Sequence, residues 1–263
     1  MIDSHCHLTY PGLREHAEEA VERARALLDA VVTCGLPYEG EEPGPRYSAL
    51  DALELEARHR GFVYVTLGFH PTQAPRVDWG YVEAYMRFIE ENADRIVGIG
   101  EIGLDRYWLK TEEEDAAARR VFEAMLGLAE RLGKPVVIHS RKAEAAALEI
   151  VETYRLRGVL FHSYTGNMTT AKRILDHGYL FSVNYRVTNT KTMRKIARKF
   201  PLENILLETD SPFLSPTGGV NEPANVVKVA EEVAKLRGLS LEEVDRQTTL
   251  NAARFYGIEV ASP

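Results

Sequence analysis

The chain has 263 residues, 45% of them hydrophobic and 27% charged, enough for one core of the size a (β/α)8 barrel needs, about 250 residues, or for two smaller ones. Its net charge of −7 argues against wholesale coating of a nucleic acid, where a basic stripe is expected, but not against an enzyme that grips a few phosphates. The two cysteines, Cys6 and Cys34, are too few for a disulfide framework, the start MIDSHCHLTY reads as no leader, and no run approaches the ~18 apolar residues of a membrane span, so a soluble cytoplasmic monomer without a membrane partner is expected.

Short apolar runs alternate with longer amphipathic ones from end to end. Strands are expected at Met1–Leu8, Ala30–Leu36, Phe62–His70, Ile96–Leu104, Pro135–Ser140, Gly158–Ser163, Tyr179–Asn184 and Asn204–Ser211. Helical patterns fall between and after them, at Leu13–Leu28, Ala49–Arg60, Trp79–Glu91, Glu112–Leu132, Lys142–Tyr154, Thr169–Asp176, Thr190–Phe200, Pro223–Leu236 and Leu241–Tyr256. Runs such as FVYVTLGF and PVVIHS are near-continuously apolar, as parallel strands covered by helices on one side and a core on the other must be. Strands alternating with helices imply βαβ units, and eight such units favour closure into one (β/α)8 TIM barrel spanning residues 1–263. Pro37–Arg46 and Pro212–Pro223 read as irregular loops after the second and eighth strands.

Barrel enzymes build their sites at the C-terminal ends of the strands, and that is where the polar residues gather. His5 and His7 close the first expected strand, His70 the third, His139 the fifth and His162 the sixth; Glu101 lies near the end of the fourth, and Glu208 and Asp210 end the eighth. Side chains two apart on a strand share a face, so Asp3, His5 and His7 point together and Cys6 points away. Two imidazoles placed like that can chelate one ion. With Glu101, His139, His162 and Asp210 on matching rims, the set has the ligand types of a divalent-metal centre. Glu101 sits among the glycines of Gly98–Gly103, where the backbone admits close approach, and its carboxylate can bridge two ions. Glu208 and Asp3 read either as groups behind the ligands that orient a histidine or as structural partners. His70, before Pro71, reads as a substrate contact or as a loop cap. Lys191–Lys199 forms a basic helix that reads more simply as a solvated exterior helix than as a nucleic-acid grip, and Tyr107, Trp108, Tyr164 and Tyr185 on the rim either stack on a base or are buried by loops.

The motifs DSHCHL (Asp3–Leu8), GFHP (Gly68–Pro71), GEIGLDRY (Gly100–Tyr107), PVVIHSR (Pro135–Arg141), FHSYTG (Phe161–Gly166) and LLETDSPFL (Leu206–Leu214), followed by NEP (Asn221–Pro223), occur in that order across nearly the whole chain. On these it resembles the TatD family of metal-dependent hydrolases. The resemblance implies a TIM barrel with two divalent ions (Zn, Mn or Mg): His5, His7, Glu101 and Asp210 on one, and Glu101, His139 and His162 on the other. It implies phosphodiester hydrolysis as a deoxyribonuclease, with His70 and Arg141 near the scissile phosphate and DNA or another phosphodiester as partner. Such a centre acidifies a water for attack on phosphorus, with Asp210 as proton acceptor and Glu101 as the other catalytic carboxylate. The alternative is an amidohydrolase-type esterase, lactonase or aminoacyl-ester deacylase working on a carbonyl. The chain departs from the family at Thr217–Pro223, which lacks the basic residues common there, at Ser163 and Tyr164, where Cys and Phe are common, and in the acidic loop bearing Glu39, Glu41 and Glu42.

Overall fold

The structure, a computed structural model, describes residues 1–39, 43, 44 and 46–259; Glu41 and Glu42 of the acidic loop lie outside them. Eight strands, β1 (Ile2–Cys6), β2 (Ala30–Gly35), β3 (Val63–Phe69), β4 (Gly98–Gly103), β5 (Val136–His139), β6 (Val159–Phe161), β7 (Leu180–Val183) and β8 (Ile205–Leu207), form one sheet in chain order. Every neighbouring pair is parallel. The barrel is completed beyond the end of β8, where the Asp210 N–H donates to the His5 carbonyl at 3.0 Å and the His7 N–H to the Ser211 carbonyl at 2.7 Å.

Helices α1 (Ala17–Arg25), α2 (Ala49–Arg58), α3 (Trp79–Glu91), α4 (Glu112–Leu132), α5 (Glu144–Val151), α6 (Met168–Asp176), α7 (Lys191–Lys199) and α8 (Val226–Arg237) follow the successive strands, and α9 (Leu241–Tyr256) ends the fold. Their ends are written locally. Thr111 caps α4 by accepting from the Glu114 N–H while Glu114 reaches back to the Thr111 N–H, and Gly133 closes the helix in the left-handed conformation at φ 62°. The expected first helix is shorter than its pattern: a 3-10 turn at Arg14–His16 precedes α1. No helix among the described residues is long and apolar enough to cross a membrane.

Strand alternation divides the core in two. Val31, Val63, Val65, Val136, Ile138, Val159, Phe161, Phe181, Ile205 and Leu207 pack with the surrounding helices. Ile2, Ala30, Val32, Val137, Leu160 and Leu206 form a separate cluster with Phe255, Tyr256 and Ile258. That second cluster fills the barrel interior, and the end of α9 seals it from below, with the Tyr256 hydroxyl donating to the Ser4 carbonyl at 2.8 Å. Two residues further along the same strand faces stand Cys34, His139, His162 and Glu208. The period of two that fills the barrel floor with aliphatic side chains therefore delivers polar ones at its mouth.

The eighth strand is three residues long rather than eight. Past Leu207 the Glu208 N–H still donates to the Val183 carbonyl at 3.0 Å, and Asp3 then holds the chain: its carboxylate accepts from the Thr209 N–H at 2.9 Å and from its hydroxyl at 2.5 Å. Asp210 then takes a left-handed conformation, φ 55°, which turns its carboxylate toward the mouth.

Candidate metal centre

His5, His7, Glu101, His139, His162 and Asp210 come together at the mouth of the barrel, and all of them but His5 line a cavity of about 1030 Å³. The Nε2 atoms of His5 and His7 lie 3.2 Å apart. Donors held about 2.0–2.1 Å from one ion sit roughly 3.0–3.4 Å from each other, so this is the spacing of neighbouring ligands. Asp210 Oδ1 is 3.9 Å from His5 Nε2 and 3.6 Å from His7 Nε2. Glu101 divides its two oxygens: Oε2 faces His5 and His7 at 3.7 and 3.5 Å, while Oε1 faces His139 Nδ1 at 2.6 Å and His162 Nε2 at 2.7 Å.

The electrostatics are those of a site short of positive charge. Burial opposes ionisation of Glu101, but His162, His139 and His70 outweigh it and hold the carboxylate well below its ordinary range. Burial also opposes protonation of His162, yet Glu101 and Glu208 beside it raise that ring well above the usual histidine value. His5 moves the other way, lowered by burial and then by His162, which leaves the neutral ring that metal ligation requires. His7 Nδ1 is buried with no hydrogen-bond partner. Four imidazoles around two carboxylates, spaced as ligands and demanding cations, fit divalent metal.

Glycine makes this packing possible. A Cβ on Gly68 would lie 2.3 Å from the Glu101 nitrogen, and one on Gly103 would lie 1.8 Å from the His139 carbonyl oxygen. The side chains one layer out are arranged around the ligands. Glu208 is fully buried, accepts from the Ser182 hydroxyl and from Asn184 Nδ2 at 2.9 Å, and lies 3.5 Å from His162 Nδ1. Asp3, expected in the same role or as a structural partner, has its carboxylate bonded to the Thr209 N–H and hydroxyl and to the backbone N–H of His5. Cys6 points away as expected, its thiol donating to the Val32 carbonyl.

His70, expected as a substrate contact or as a loop cap, is a cap in this structure. It caps the 3-10 turn Pro71–Arg76, with Nδ1 accepting from the Thr72 N–H. Burial, reinforced by His139, pushes its pKa down to about 3, so the ring is neutral and, with Nδ1 accepting, its proton belongs on Nε2. That Nε2 points into the site, 3.8 Å from Glu101 Oε1. Arg141 lines the cavity with its guanidinium 3.6 Å above the Tyr107 ring. Tyr164 is buried, its hydroxyl donating to the Asn167 carbonyl, and Tyr185 is not on the cavity wall. On α7, Arg194, Lys195, Arg198 and Lys199 face solvent while Met193, Ile196 and Ala197 face the core, which is the exterior helix expected. The Pro212–Pro223 loop presents Pro212, Phe213, Leu214 and Gly219 to the cavity, and positive charge comes instead from Arg76, Arg141 and Arg186.

Three residues at the site went unassigned in the sequence. Asp105 Oδ2 lies 2.8 Å from His139 Nε2, while its Oδ1 accepts the N–H groups of Tyr107 and Trp108 at 2.8 Å each. Its place inside the GEIGLDRY motif was the available signal. The Cys34 thiol accepts from the Glu101 N–H at 3.1 Å and groups with His7 and Glu101; the period of two from Val32 would have placed it inward. Glu39 enters the cavity wall from the loop after β2, one carboxylate oxygen buried without a hydrogen-bond partner, and burial pushes its pKa up to about 7. The sequence marks it only as part of the acidic loop that departs from the family.

An eight-stranded parallel barrel with this histidine–carboxylate cluster at its C-terminal rim defines a (β/α)8 metal-dependent hydrolase. The profile of the TatD related DNase family matches residues 2–257. The chain is 34% identical over 256 residues to the uncharacterized metal-dependent hydrolase MJ1582 of Methanocaldococcus jannaschii, covering 97% of this chain and 96% of that one. It is 32% identical over 265 residues to the deoxyribonuclease TATDN3 of Homo sapiens, covering 97% and 94%. Its fold superimposes on the TatD homologue YJJV of Escherichia coli with a TM-score of 0.85 over 98% of each chain, at 24% identity. The chain belongs to the TatD family.

Proposed function

We propose that this protein is a divalent-metal-dependent phosphodiesterase acting on DNA. The observation that carries the reading is the division of Glu101, one oxygen toward His139 and His162 and the other toward His5 and His7. It supports two ions, of Zn, Mn or Mg, with His5, His7 and Asp210 on one, His139 and His162 on the other, and Glu101 shared. Bound there, the ions supply charge against phosphoryl oxygens and lower the pKa of a water. Asp210, turned into the mouth between His5 and His7, takes the proton that the attacking water gives up. His70 Nε2–H donates to a phosphoryl oxygen, and the Arg141 guanidinium offers the charge and paired donors that a phosphate accepts. Glu208 holds His162 in orientation from behind. DNA as the substrate is supported by the name of the human relative and by the arginines on the cavity wall. The working unit is a cytoplasmic monomer.

The test is hydrolysis of single-stranded DNA by metal-stripped protein resupplied separately with Mg, Mn and Zn, beside Glu101→Ala. Cleavage restored by metal in the wild type and lost in the variant is expected. Full metal binding with no cleavage of DNA, but turnover of carboxylic esters, would move the protein to carbonyl chemistry.

A further inference from the structure

Trp108 is 62% exposed, more than any other aromatic side chain among the described residues. An indole left in water contributes little to the fold, since its apolar area stabilises only when removed from solvent. It is nevertheless held in place. The N–H groups of Tyr107 and Trp108 both donate to Asp105 Oδ1 at 2.8 Å, and the other oxygen of the same carboxylate holds His139 Nε2 at 2.8 Å. One carboxylate thus ties the backbone carrying Trp108 to an imidazole of the metal centre. Trp108 lines the cavity that the metal centre opens into. The Arg141 guanidinium lies 3.6 Å from the centre of the Tyr107 ring and 5.9 Å from that of Trp108, and the two rings meet at right angles with centres 4.9 Å apart. Tyr107 therefore carries the guanidinium in close contact, while the indole of Trp108, with the same cation at its margin, is offered to solvent at the mouth of the cavity.

We infer that Trp108 is a nucleobase-stacking subsite, which takes the unpaired base of a nucleotide adjoining the phosphate seated on the metal centre. The inference rests on the phosphodiester reading above. The chemistry fits: every base has a π-face, stacking on an aromatic side chain asks for no particular hydrogen-bond pattern, and the grip is therefore tolerant of sequence. Arg141, parked on Tyr107 beside it, places a cation where the backbone phosphates of a stacked strand run. Because a base must leave its duplex to lie on the indole, the subsite selects single strands and frayed ends.

Two measurements test it together. The only other tryptophan, Trp79, lies on α3 beneath the Arg120 guanidinium and bonded to Glu83, so Trp79→Phe leaves Trp108 as the sole indole reporter. Its fluorescence, in the metal-loaded protein, is expected to be quenched on titration with thymidine 5′-monophosphate and not with inorganic phosphate. In the second measurement, oligonucleotides are compared with counterparts in which a base beside the cut is replaced by a tetrahydrofuran spacer. The wild type is expected to favour the complete strand in KM by about 5- to 150-fold, the span of base–aromatic stacking. Trp108→Ala should abolish that preference and Trp108→Phe should retain most of it. Equal quenching by phosphate and nucleotide, or a preference that survives Trp108→Ala, overturns the subsite. Failure of the wild type to cleave any DNA overturns the phosphodiester reading instead, and the nucleotide titration then still decides whether the indole takes a base.

Discussion

Replacing Asp105 by Asn exchanges one carboxylate oxygen for an NH2 group and reverses the proton logic of His139. In the native site, Asp105 Oδ2, an acceptor, lies 2.8 Å from His139 Nε2, so the proton of the neutral ring sits on Nε2 and the Nδ1 lone pair is free toward Glu101, 2.6 Å away. An amide that keeps its oxygen on the Tyr107 and Trp108 N–H groups must present NH2 to His139, forcing the proton onto Nδ1 and blocking the ligand. Flipped, the same amide aims its NH2 at two backbone donors. The first arrangement costs the ligating tautomer and the second the two N–H bonds to Oδ1, and loss of such a partner behind a metal-bound histidine costs about 10- to 100-fold in metal affinity. That is about 1.4–2.7 kcal/mol. The assay is chelator-competition titration of the metal-stripped protein with Zn and Mn at neutral pH, with a melting curve as control. The expected result is weakened affinity at the His139 site with little loss of fold, because the side-chain size is kept. An unchanged affinity would refute the assignment of Asp105 as the group that sets the His139 tautomer.

Other perturbations follow from the same geometry. Gly68→Ala places a Cβ 2.3 Å from the Glu101 nitrogen and 2.4 Å from its carbonyl oxygen; relief requires a displacement of about 1 Å, which for a catalytic group costs on the order of 100-fold in kcat, and a near-normal kcat would show that the barrel absorbs the strain elsewhere. Glu39→Gln is expected to stabilise the metal-free protein at pH 8 but not at pH 4, as read by melting curves. The folded-state pKa of this acid is raised from 4.5 to about 7, so the penalty of burying its charge grows between those values and is complete above them, at most about 3 kcal/mol; an equal effect at both pH values would contradict the burial. Lys195→Ala, on the solvent face of α7, should change DNA affinity by less than about twofold, and a large loss in a binding titration would make that helix part of the substrate path. His5→Ala should lose metal and nearly all activity, which metal analysis of the purified variant checks alongside the rate.

The residues alone determined the alternation of strands and helices, which favours a barrel, and the strand positions of most of its rim. Eight apolar runs alternating with amphipathic ones require a parallel sheet covered by helices, and a strand period of two places His5 with His7 and carries Val137 on to His139 and Leu160 on to His162. Those relations run along single strands, where spacing in the sequence is spacing in the molecule. Relations across the barrel are of another kind, because they depend on the register and tilt with which strands far apart in the chain close on one another. Only the closed structure splits Glu101 between two histidine pairs, brings Cys34 against Glu101, and lets Asp105 reach back from its turn to His139. The eighth strand shows the limit best. Its sequence reads as extended through Ser211, but Asp3, some two hundred positions earlier, accepts the Thr209 N–H and hydroxyl, and the chain turns at Asp210 into the metal site. A hydrogen bond between the first and last strands of a barrel exists only once the barrel has closed, so tertiary structure decided it.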